Sequence, residues 1–89
     1  MKAVISVTGR DSMGIIAKVS AACADYKANI VDISQSVLSE YFAMIMIVDI
    51  TSITIPFVDF IDKMTELGKE NGLVIHTMHE DIFNSMHSI

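Results

Sequence analysis

The stretch Tyr41 to Ile50 is apolar on both alternations of a β-strand, and this narrows the folds open to the chain. Phe42, Met44, Met46 and Val48 fall on one side; Tyr41, Ala43, Ile45 and Ile47 fall on the other, because successive strand side chains point to opposite faces. Such a strand belongs at the centre of a sheet, covered on both faces. The rest of the chain must supply its neighbours and its cover.

The flanking segments read in order. Lys2 to Val7 is β-branched and ends at Thr8-Gly9, a first strand. Ser12 suits the N-cap of a following helix, opened by Met13 and Gly14. Ile15, Ile16, Val19, Ala22, Cys23 and Tyr26 recur at helical spacing up to Lys27-Ala28, and Asn29 suits a left-handed or turn position. Ile30 to Leu38 alternates: Val31, Ile33 and Val37 oppose Asp32, Ser34 and Ser36, as in a half-buried edge strand. Ser39-Glu40 makes a hairpin with the doubly apolar strand. After a loop from Thr51 to Ile55, Pro56 suits the first turn of a second helix, striped by Phe57, Phe60, Ile61, Met64 and Leu67 and stopped by Asn71-Gly72. Leu73 to His79 is a fourth strand. Asp81 caps a last helical turn, with Ile82, Phe83, Met86 and Ile89 on one face.

The order βαββαβ, with right-handed crossovers and a central hairpin, predicts an α+β, ferredoxin-like sandwich with antiparallel strand order 4-1-3-2. Both helices then cover one face of the sheet, and a short C-terminal helix follows. One domain is expected over residues 1–89, with 81–89 as a helical tail. The opposite sheet face is expected to be bare. Exposing several large side chains there would forgo about 1.5–3 kcal/mol each, against a total stability of about 5–15 kcal/mol. A second copy is the expected cover, hence a homodimer; the tail folding back is the alternative.

Composition restricts the partners. The chain has 89 residues, 52% of them apolar, and a mean hydropathy of +0.51. Its formal net charge is −5, with six scattered Lys and Arg, so nucleic acid is not an expected partner. No run is long enough to span a membrane. Lys2 leads into strand-like alternation rather than a signal peptide, so a cytoplasmic location is expected. The single cysteine, Cys23, excludes an intrachain disulfide and sits at an apolar helix position, where a buried structural thiol is expected.

The turn from Thr8 to Ile15 carries the chemistry. A helix N-terminus offers unpaired N–H groups and partial positive charge to a small anion such as a carboxylate. The run Val7-Thr8-Gly9-Arg10-Asp11-Ser12-Met13-Gly14-Ile15-Ile16-Ala17-Lys18-Val19-Ser20, followed by Asn29-Ile30-Val31-Asp32-Ile33-Ser34-Gln35, resembles the ACT domain family. Similarity is greatest to its small free-standing members, akin to the glycine-cleavage regulator and the N-terminal part of formyltetrahydrofolate deformylase. The ending Glu80 to Ile89 also resembles the tail of free-standing members. The resemblance implies a non-catalytic regulatory module, dimeric, that binds an amino acid or related metabolite. The ligand would sit between the first strand-helix turn and the start of the second strand, near a dimer interface. The implied site is Arg10, Asp11, Ser12, Met13, Gly14 and Ile15, faced by Asn29, Ile30, Val31 and Asp32. Asp11 can accept from an α-ammonium, the N–H groups of Met13 to Ile15 can hold an α-carboxylate, and Asn29 can donate and accept. Proline is frequent in the family where this chain has Met13, which fixes the helix start less firmly.

Other chemistry is not expected. His76 and His79 are three apart on a strand and point to opposite faces, so one metal ion does not readily use both. No nucleophile–base pair, phosphate-cradling glycine loop or evident carboxylate pair is present, so neither enzyme activity nor a cofactor is expected. The alternative to a metabolite sensor is a protein-interaction module. It would dock on an enzyme or sensor protein through the open sheet face or the Ile82, Phe83, Met86 and Ile89 stripe.

Overall fold

A computed structural model describes residues 1–10 and 13–86. Its elements are β1 (Lys2–Arg10), α1 (Ile15–Asp25), β2 (Asn29–Leu38), β3 (Tyr41–Asp49), α2 (Phe57–Glu70), β4 (Leu73–His79) and α3 (Glu80–Met86). The strands form one antiparallel sheet in the order β2-β3-β1-β4. This is the predicted ferredoxin-like order, with the doubly apolar strand and β1 in the middle.

Register assigns each residue to a face, since directly opposed residues share one. Val48, Ala3 and His79 form one row under the helices, Met46, Ile5 and Thr77 the next, then Met44, Val7 and Ile75. These rows meet Ile15, Val19 and Cys23 of α1 and Phe60 and Met64 of α2 in one continuous core. Tyr26 closes the space between the helices, its ring edge-on to Phe60 at 6.2 Å. Helix α2 comes close to β4 at Gly68. A Cβ there would stand 2.8 Å from the Leu73 carbonyl oxygen.

Several local expectations need correction. β1 continues through Thr8-Gly9 to Arg10, because Gly9 pairs with Phe42 on one side and Leu73 on the other. Its missing side chain admits the Leu73 methyl group, which would lie 2.8 Å from a Cβ. Gly14 does not open α1. It lies just outside the helix in the left-handed region (φ 81°), and its carbonyl accepts the Lys18 N–H. Ser12, the expected cap, lies outside the described residues, as does Ile89 of the tail stripe. The left-handed residue closing α1 is Lys27 (φ 60°), not Asn29. Lys27 N–H donates to the Ala24 carbonyl and Ala28 N–H to the Cys23 carbonyl, the paired bonds of a Schellman closure. Asn29 is already in β2, paired with Asp49. Ile16 of the predicted stripe is exposed. Asp81 lies within α3 rather than capping it, and its N–H donates to Nδ1 of His79.

The face away from α1 and α2 is half covered. β4 passes straight into α3, which packs back on β1 and β4 and leaves Val4 only 5% exposed. The β3 side stays open: Ile45 is 45% exposed and Tyr41 54%. The tail thus supplies part of the cover expected from a second copy.

Candidate functional site

The turn and its facing strand do not meet within one chain. β1 runs up the sheet to Arg10, opposite Tyr41, which in turn faces Leu38. Asn29 lies at the other end, in the row of Asp49 and Lys2. Eight strand steps of about 3.3 Å separate the rows of Lys2 and Arg10, roughly 26 Å. The residues of the expected site therefore fall into two groups at opposite ends of the sheet, each at most a half-site.

The upper half-site is the start of α1. Among the described residues no side chain caps this helix, and its first turn holds no acidic residue. The first N–H groups from Ile15 onward thus lack the intrahelical partners that later ones have. Met13 is almost fully exposed at 95%, and among the described residues, its chain neighbours aside, Gly14 has no atom within 4 Å of where a Cβ would stand. The open space lets a ligand or another chain approach this backbone. Arg10 leans toward Glu40 (Nη1–Oε2 3.8 Å), an exposed pair of little energetic weight. Asp11 and Ser12 belong to the expected site but lie outside the described residues.

The lower half-site is a groove of about 450 Å³ between the last turns of α1 and the start of β2, lined by Ser20, Ala24, Lys27, Ala28, Asn29 and Ile30. Of the predicted residues it includes Asn29 and Ile30. Val31 is half exposed at a bulge between Ile30 and Asp32, and Asp32 turns its carboxylate back on the Ile33 N–H at 2.9 Å. Ser20, Ala24 and Lys27 were not anticipated. Two small residues four apart on α1 are the signal that marks such a groove, since residues at that spacing share a helix face.

The rim of β2 joins the two halves. β2 pairs only with β3, and Val31, Val37 and Leu38 stand exposed on it. It carries one charged residue, Asp32, and neither proline nor glycine. Of the devices that blunt long free edges, β2 has this one charge and the bulge at Val31. A two-residue turn closes the β2–β3 hairpin, with Ser39 at positive φ (58°). That geometry makes Leu38 and Tyr41 a hydrogen-bonded pair. It therefore turns the backbone groups of Ile33, Gln35 and Val37 outward.

Residues 2–77 match the model of the ACT domain family. A UPF0237 protein of Clostridium acetobutylicum is 45% identical over 89 residues, the full length of both chains. An ACT domain protein from Streptococcus pneumoniae has the same fold, with a TM-score of 0.82 and 37% identity over 93% of each chain. A protein described as a glycine cleavage system transcriptional repressor shares the fold alone: TM-score 0.72 and 20% identity, over 89% of this chain and 47% of that one.

Proposed function

The chain belongs to the ACT domain family, and from that membership we propose that it works as a non-catalytic, homodimeric metabolite sensor of the cytoplasm. Its ligand is a small amino acid or a close relative, and its output is the control of a partner enzyme or sensor protein. Residues 1–89 act as one ACT-like unit.

The separation of the half-sites carries this reading. If two copies pair antiparallel along β2, the start of β2 in one copy lies at the same end of the joined sheet as the partner's α1 start. Each seam then brings one groove at Asn29 and Ile30 to one turn at Arg10, Asp11, Ser12, Met13, Gly14 and Ile15. Val31 and Asp32 flank it. A zwitterion suits the pair: the helix N–H groups take the carboxylate, while Asp11 and the Asn29 carbonyl take the ammonium. The helix-end charge contributes only about 0.3–1 kcal/mol, so burial between subunits must supply the rest.

Calorimetric titration of the dimer with the common amino acids tests the reading. One of them should give a saturable heat that Asn29→Ala weakens at least tenfold, with no change in dimer mass. Absence of heat and of thermal shift with every amino acid sinks the ligand. The protein-docking reading is favoured by one feature, the exposure of Ile82 and Met86 on α3.

A further inference from the structure

The open sheet face holds a cavity apart from the half-sites. It measures about 210 Å³ and is lined by Val4, Ser6, Ile45, His76, Met78 and Phe83. The sheet supplies its floor and α3 its roof. Val4 is directly opposite Met78, and Ser6 is directly opposite both His76 and Ile45. We propose that this cavity is a second binding site, for a compact, uncharged, mostly apolar molecule with a single hydrogen-bonding group, of the size and kind of a phenol or an indole.

Three observations select that class. The volume exceeds the about 150 Å³ that accommodates benzene in an apolar cavity, so a substituted or fused ring fits. Four of the six lining side chains are apolar, and the Met78 thioether suits an aromatic edge. Among the described residues, the polar side chains that line it are Ser6 and His76. As cross-strand partners their Cβ atoms stand about 4.5–5.5 Å apart, close enough to share one donor-acceptor group. Among the described residues no Asp or Glu lines the cavity, so an ammonium finds no carboxylate partner here. An amino acid is therefore the poorer ligand, which separates this site from the seam.

The methionines allow a direct test. Met78 lines the cavity and Met13 marks the α1 start. With methyl-¹³C methionine in the full chain, phenol and indole should shift the Met78 signal saturably and leave Met13 unmoved. Leucine should not move Met78. Ser6→Ala should weaken phenol roughly two- to tenfold, the worth of one neutral hydrogen bond. Ile45→Trp, at a half-exposed position, should fill the space and abolish the response. The proposal falls if Met78 stays still up to the solubility limit of indole. It falls equally if leucine matches phenol, or if Met78 shifts on dilution of ligand-free protein, which would assign the face to a second copy. Loss of the Met13 response to amino acids bears only on the seam.

Discussion

Gly68 lies against the carbonyl oxygen of Leu73, where an added Cβ would stand 2.8 Å from the oxygen and 3.0 Å from Ile75. The obstacle is backbone, so α2 must lift from β4 to admit even a methyl group. Gly68→Ala should cost about 1–3 kcal/mol, measured by urea unfolding. Gly9→Ala should cost less, because its closest obstacle is the end of the Leu73 side chain.

Thr77 is buried under the helices and its hydroxyl has no partner among the described residues. An unsatisfied buried hydroxyl costs about 1–3 kcal/mol. Thr77→Val keeps the shape and removes that cost. It should raise stability by about 1 kcal/mol, read as a higher denaturant midpoint at unchanged slope.

Burial pushes the Cys23 thiol up to about 11, from an ordinary value of 9.0. Below pH 9 the thiol is neutral folded and unfolded, and contributes no pH dependence. Between about pH 9 and 11 the unfolded chain releases the proton while the folded one keeps it, so stability falls with rising pH. The loss should reach about 2–3 kcal/mol and vanish in Cys23→Ala. A thiol reagent at pH 7.5 should label the native protein only as fast as it opens.

How much of this was legible in the residues depends on the kind of signal. The two faces of Tyr41 to Ile50 located the centre of the sheet, and connection rules ordered the other strands around it. Lys27 is different: nothing in a lysine marks a left-handed residue, and Asn29 was the better local candidate. Gly9 reads as a strand end, yet it lets β1 and β4 pair closely. The groove at Ser20 and Ala24 needed two elements in space. The residues of the expected site were grouped because the family resemblance groups them. Strand direction already places Asn29 beside Lys2 rather than Arg10.

That geometry makes a prediction about mixed dimers. Asn29→Ala damages the groove, and Gly14→Val damages the turn, since Gly14 sits at φ 81°. Each variant alone should lose amino-acid binding. In a re-equilibrated equal mixture, a two-fold seam rebuilds one intact site per mixed dimer, about a quarter of all sites. Calorimetry that finds no recovery would overturn a site shared between two subunits.

Gln35→Pro should separate the copies. Its N–H faces outward by register, and proline is tolerated on an edge strand at such a position. Light scattering should return a single subunit, with circular dichroism little changed.

The rim of β2 has a further cost for the organism that makes this chain. Ten residues with a single charge cannot tell a twin from a stranger: any extended peptide offers the same ladder of amides. If two copies pair along this rim, whatever parts them, dilution or a proteolytic nick, leaves a template for misassembly. Solubility and self-recognition would then be one property, and selection on either would act on both.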